Sequence, residues 1–402
     1  MRKVLFTGVL FLICEVGFVF AQDLQKSRKV ADVVTAGNDK VMVCKWSLLK
    51  DTVTLPLSFF TEELEVIKLD DREEALISTQ SSVTIGEKYI LTGGAQAHNV
   101  CFKLFDKTGK YLTDIGAFGQ GPGEYGTIAD ATLDEKNERI YILSWSTRNI
   151  LEYDLEGNFI RPINMPGNIT KGKIYADPSG ELVSVVAVPI IGNKYIAWTQ
   201  KKTGEIVNAV EPGNLSINPR EPNGAYSAFN HEISSSKNLE GVFDAYVFCF
   251  HTRKDTLYHY EPISGRLLPQ FTVDFPGNTP PSHAYFEFPH HYAGWTGEEI
   301  RVSENSSYIG NHKFFIVDKS SLKGTFFKIR NDFWGDSEIG WPTYAFSNGY
   351  YTKNYEPAEL MDELDKLLSN SKLSAEAKAK LTKLKSSVSE KDNNYIFYAK
   401  MK

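Results

Sequence analysis

A strand pair closed by a turn that ends in glycine recurs through this chain, and it constrains the fold more than any other feature. It reads Phe102-Lys-Leu-Phe-Asp-Lys-Thr-Gly109, then Ile150-Leu-Glu-Tyr-Asp-Leu-Glu-Gly157, then Ile196-Ala-Trp-Thr-Gln-Lys-Lys-Thr-Gly204, with weaker copies ending at Gly265 and Gly324. The turn glycines are 48, 47, 61 and 59 residues apart. A single β-meander of that length cannot bury both faces of its sheet, and stacking such units around an axis solves the problem as a propeller. The spacing predicts blades at about 76–118, 126–167, 172–212, 240–276, 298–333 and 342–402. A strand within 63–70 is expected to complete the last blade, which closes the ring and removes its open sheet edges. Longer intervals around the fourth and fifth repeats predict insertions at about 213–240 and 277–300.

The expected fold class is therefore all-β, a six-bladed β-propeller with a helical hairpin inserted in the last blade. Pro357 suits the first helical position, and Leu360, Met361, Leu364, Leu367 and Leu368 form one apolar stripe behind it. Ala377, Leu381 and Leu384 give a second, narrower stripe among lysines, so the insertion spans about 357–387. The chain has 25 Phe and 20 Tyr against 5 Met, and its 42% hydrophobic content is enough for a core.

Three parts follow: residues 1–21 as a signal peptide, 22–50 as an N-terminal lead segment and 51–402 as the propeller. Arg2 and Lys3 precede an apolar run from Val4 to Cys14, and Val19-Phe20-Ala21 resembles a cleavage site. The run is too short for a membrane span. Extracytoplasmic placement, in the periplasm or at the cell surface, is the expectation. Lipid attachment at Cys14 is disfavoured by the bulky Ile13 before it. Losing Arg2, Lys3 and Glu15 takes the net charge from −6 to −7, which argues against a nucleic-acid partner. Cys44, Cys101 and Cys249 remain, an odd number scattered among apolar strand residues, as buried thiols would be.

The element Ile115-Gly-Ala-Phe-Gly-Gln-Gly-Pro-Gly-Glu-Tyr125, ahead of Glu138-Arg-Ile-Tyr-Ile142, resembles the inter-blade linker of NHL-repeat proteins. Together with Leu55-Pro-Leu-Ser58, Leu64 to Leu69, Asp255-Thr-Leu-Tyr258, Leu268 to Phe275 and the ending Asp392 to Lys402, it makes the chain resemble a family of exported six-bladed β-propellers from gut-associated Gram-negative bacteria. The resemblance implies this fold over about 52–402 and an extracytoplasmic address. It implies no substrate and no catalytic residues.

The glycine run at 116–123 lacks the Lys-Ser/Thr of a phosphate loop and reads as a tight turn between blades. No Gly-x-Ser-x-Gly nucleophile elbow or Asp-box is present. Candidate ligand-binding residues are His98, Trp145 and Arg148 near strand ends of the first two blades, and His231 at the start of the fourth. The 277–300 insertion adds His290, His291, Tyr292 and Trp295 as an aromatic lip suited to stacking on a sugar or peptide. No resident cofactor is expected, although calcium or zinc in the central channel would suit the alternative reading, a metal-assisted lyase or hydrolase. The first reading is a binding module for a small molecule, glycan, peptide or cell-envelope protein, and a monomer.

Overall fold

The computed structural model of the protein describes residues 24, 26–93, 101–218, 231–248, 255–303, 306–371 and 373–402. Six antiparallel sheets follow one another along the chain. Blade 1 holds Ser82–Ile85, Tyr89–Gly93, Phe102–Asp106 and Tyr111–Ile115, and blade 2 holds Ile128–Asp134, Arg139–Ser144, Thr147–Asp154 and Phe159–Ile169. Blade 3 holds Gly172–Ala176, Leu182–Ala187, Ala197–Lys201 and Ile206–Val210. Blade 4 runs Glu232–Ser234, Phe243–Phe248, Thr256–Glu261 and Arg266–Asp274, while blade 5 runs Ser282–Glu287, His291–Ser303, Ser306–Asp318 and Gly324–Asn331. Blade 6 joins Phe346–Ser347, Tyr350–Tyr355 and Tyr395–Lys400 to Glu65–Lys68, so the expected N-terminal strand does complete the last sheet.

The two expected insertions need correction. Residues 282–287 and 291–303 are the innermost and second strands of blade 5, and residues 232–234 are the innermost strand of blade 4. The misreading has a physical cause. Ser282–Glu287 is buried on both faces and contains His, Ser and Glu, so it shows no apolar alternation from which a strand could be read.

The lead segment is also built into the sheets. Asp39–Lys45 adds in parallel to the outer strand of blade 4 and carries Ala31–Ala36 on its far side. Thr52–Pro56 adds in parallel to the outer strand of blade 5. The chain thus passes along blades 4, 5 and 6 in turn before entering blade 1.

Apolar clusters fill every interface between neighbouring blades, including blades 6 and 1, where Ile67, Leu69, Ile85, Ile90, Phe105 and Ile396 meet. Helices Pro357–Leu368 and Ala375–Ser387 interrupt blade 6. The first buries Leu360, Leu364 and Leu367 against the blade 5–6 cluster, and the second contributes Leu381. Ser374 caps the second helix by accepting from the Ala377 amide at 3.1 Å.

The repeat glycines are explained by contact as well as by turn shape. Gly157 has φ +86°, and a Cβ there would stand 2.2 Å from the Asp114 carbonyl oxygen on the outer strand of the preceding blade. Gly109 stands in the same relation to Lys68. Each turn therefore packs its glycine on the blade before it, which couples turn geometry to blade stacking. The fifth copy differs: Gly324 opens the outer strand, and the left-handed position of that turn is Leu322, φ +61°. Replacing Gly157 with Ala is expected to cost about 1–3 kcal/mol for the backbone conformation alone, with the carbonyl clash in addition. Urea unfolding of Gly157→Ala beside Gly167→Ala, which meets nothing within 4 Å, checks this. Equal losses at both positions would refute the packing role.

Candidate functional site

In each blade the first-to-second and third-to-fourth turns lie on one face, and the second-to-third turns and the blade linkers on the other. The channel is closed on the first of these faces by residues 235–240, which leave the short innermost strand of blade 4 and cross the axis. Lys237 Nζ reaches Asp130 Oδ2 at 2.9 Å and Thr132 Oγ1 at 3.0 Å in blade 2. Ser236 Oγ and Asn238 Nδ2 donate to the Glu287 carbonyl of blade 5 at 3.2 and 3.0 Å. The Asn348 amide of blade 6 donates to the Ser236 carbonyl at 2.8 Å.

Buried charges hold this plug. Burial opposes ionisation of Asp130, but Lys237 and Lys173 outweigh it and keep the carboxyl below the usual aspartate value. Asp244 accepts the Ser236 and Lys237 amides, both at 2.8 Å, which fixes the crossing backbone. Glu287 is also buried, yet His259 at 2.5 Å and Lys319 at 2.6 Å hold its carboxyl below the ordinary glutamate range. Every group is paired, as buried charges must be. The closed end is structural.

The opposite face carries, among the described residues, rings and charges from blades 2, 4 and 5 and from the linkers into blades 3 and 6. Trp145, in the second-to-third turn of blade 2, places its ring 4.0 Å from Lys171 Nζ in the linker to blade 3. Lys171 pairs with Glu232, the first residue of blade 4's innermost strand. Tyr344 accepts a hydrogen bond from Trp295 Nε1 at 3.2 Å. Trp341 closes the belt, with ring centroids 4.2 Å from His312 and 5.8 Å from Tyr344. Trp341 and Tyr344 remain 46% and 53% exposed. Trp341 has φ +50°, a conformation that costs a bulky residue free energy and that packed surroundings must hold in place.

Trp145 and His231 therefore fall on one face, with His231 buried immediately before Glu232, whereas Trp295, expected in the lip, is only 4% exposed inside the second strand of blade 5 and packs in the blade 4–5 cluster. Arg148 is exposed at the start of blade 2's third strand. The reading of residues 290–292 as a lip needs correction. His290 is exposed in the first-to-second turn of blade 5, on the closed face, and His291 is buried 3.5 Å from Asp318 with the Phe59 ring 5.4 Å away. Tyr292 stacks on Phe271 at 4.8 Å between blades 4 and 5. Strand alternation and the blade interface take these rings away from solvent. His98, Cys249 and residues 1–21, expected as a signal peptide, lie outside the described residues.

Lys171, Glu232, His312, Trp341 and Tyr344 complete the belt but were not among the candidates. Trp341 and Tyr344 sit in a linker where two aromatics within four residues were the available signal; Lys171 carried none. Among the described residues no group of three or more His, Cys, Asp or Glu is placed to hold a metal ion, and no helix is long and apolar enough to cross a membrane. Cys44 is a buried free thiol and Cys101 a half-buried one.

Among solved structures, a Bacteroides fragilis protein described as exported matches at TM-score 0.54 and 13% identity, over 88% of this chain and 99% of its own. A member of the duf4221 family from Bacteroides vulgatus matches at TM-score 0.45 and 12% identity, over 85% and 97% of the two chains. Virginiamycin B lyase from Staphylococcus aureus matches at TM-score 0.38 and 15% identity, over 67% and 75%. At these identities the first likeness speaks for the fold alone. No curated protein matches the chain. The family model for DUF4934, a domain of unknown function, covers residues 43–400, and the chain belongs to that family.

Proposed function

We propose that the chain is a binding module that takes a polar, flat-faced ligand, a glycan or a peptide, at the face of the propeller that carries Trp145, Trp341 and Tyr344. The observation that carries this reading is the belt from Trp145 to Trp341, with two large rings left exposed beside a paired lysine and glutamate. Exposed rings stack on sugar or peptide faces, and fixed charges orient the polar groups of such a ligand. The basic and apolar start of the sequence supports work outside the cytoplasm, and the Bacteroides fragilis protein of like fold is described as exported.

Trp341→Ala and Trp145→Ala are each expected to weaken the best hit of a glycan and peptide array about threefold to tenfold, from ring contacts of roughly 0.5–1.5 kcal/mol. Melting temperatures should change little for Trp341→Ala. Tyr292→Ala should do the reverse, destabilising by about 3–5 kcal/mol as other buried aromatics do, with affinity retained in the folded fraction. Unchanged affinity in both tryptophan variants would refute the mouth as the site.

A further inference from the structure

We propose that a second site, in the groove between blades 2 and 3 on the closed face, binds an oxyanion group such as a sulfate, phosphate ester or carboxylate. Glu152, on the third strand of blade 2, has no exposed side-chain surface and is met by three cations. Lys202 Nζ lies 2.6 Å from one carboxylate oxygen, Arg161 Nε 2.7 Å from the other, and Arg139 Nε 3.6 Å away. A buried carboxylate needs one cation for neutrality and Glu181 in the same groove offsets a second, so one positive charge is left over.

The excess faces a groove of about 400 Å³ whose lining has Arg139, Arg161, Lys201 and Lys202 against Glu152 and Glu181. Lys201 is already paired with Glu205 at 2.8 Å. In a chain of net charge −6 such a concave cationic site stands against the overall field. Arg161 spends only Nε on Glu152, which leaves its two terminal nitrogens, on a side chain 48% exposed, for a bidentate contact. The 3.6 Å separation of Arg139 Nε is beyond hydrogen-bond distance, so that nitrogen is not committed to Glu152. Glu152 thus works as an anchor that orients the cations. Opposite it on the neighbouring strand, Tyr141 is fully buried and its hydroxyl has no hydrogen-bond partner among the described residues, a donor left over beside the same cluster.

The test titrates the mature chain with sodium sulfate, phosphate and acetate at ionic strength held constant with chloride, read by calorimetry and melting temperature. One oxyanion per chain is expected. Arg161→Gln should weaken it at least tenfold, Arg161→Lys less, and Lys380→Gln on the distant second helix not at all. Both Arg161 variants keep Lys202 on Glu152, so the fold is retained. A sulfated oligosaccharide that binds at least tenfold more tightly than sulfate, with the gain lost in Arg161→Gln, would identify a group on a larger ligand, and equal affinities would identify a free-ion site. No binding beyond the chloride baseline, or equal affinity in the wild type and Arg161→Gln, would overturn the proposal.

Discussion

A chain lacking residues 22–70 is expected to aggregate instead of folding. That deletion strips the added strands from blades 4 and 5 and the outer strand from blade 6, leaving three edges with unpaired backbone groups. It also removes Leu55, Leu57, Phe60 and Leu64 from the blade 5–6 cluster and Ile67 and Leu69 from the blade 6–1 cluster. Each such side chain contributes on the order of 1.5–3 kcal/mol when fully buried, so the sum exceeds the usual net stability of a domain. Deleting only residues 22–45 keeps both Thr52–Pro56 and Glu65–Lys68, hence the closed ring. It still removes Val30, Ala31, Met42 and Cys44 from the blade 4–5 cluster, so a lower but cooperative melt is expected. Size-exclusion chromatography and thermal melting of the two truncations separate the cases. Soluble, cooperatively melting protein from the longer deletion would refute closure by the N-terminal strand.

What the sequence made legible follows from which signals are local. The turn glycines are local, because their left-handed conformation and their contact with the preceding blade leave no room for a side chain, and they marked the blade period. The closing strand at Glu65–Lys68 was legible because a propeller with that period has open edges to satisfy. The strands of blade 5 were not, since Ser282–Glu287 is buried on both faces and its Glu287 answers to His259 and Lys319, 28 and 32 residues away. The channel mouth was half legible. Trp145 and His231 lie at strand ends where side chains of interest collect, Trp295 lies buried within a strand, and Lys171 acquires meaning only from Trp145 and Glu232, which the closed ring brings to it. Tyr292 misled for the opposite reason. Its neighbours in sequence are aromatic, and its neighbours in space, Phe271 and Phe315 among them, are aromatic too. A cluster of rings in sequence does not say on which side of a sheet the rings lie.

Stability is expected to fall steeply as the pH drops from about 6.5 towards 4, with two buried histidines as the main cause. Burial pushes both His283 and His291 down from the ordinary value of 6.5 to about 4. His283 donates through Nδ1 to the Pro281 carbonyl at 2.8 Å, and its Nε2 has no hydrogen-bond partner among rings such as Phe275, Tyr246 and Tyr285. A proton there would be an unpaired charge in an aromatic pocket. At His291, Asp318 favours the charged form, but burial, His290 and Lys319 oppose it. Both folded-state values lie below the unfolded one, so it is the unfolded chain that takes up the extra protons. The stability is complete above pH 6.5 and is lost as the pH falls towards 4, by about 3 kcal/mol per histidine. Asp130, Glu152 and Glu287, held below their ordinary values by their lysine, arginine and histidine partners, extend the loss at lower pH, where their carboxylates begin to protonate. Denaturant unfolding of the wild type, His283→Gln and His291→Gln at intervals from pH 8 to pH 4 measures the effect. Each substitution should remove up to one proton from the linkage, reducing the slope by as much as about 1.4 kcal/mol per pH unit. A wild-type stability that is flat between pH 7 and pH 5, or variants with an unchanged slope, would show that neither histidine is held neutral by the fold.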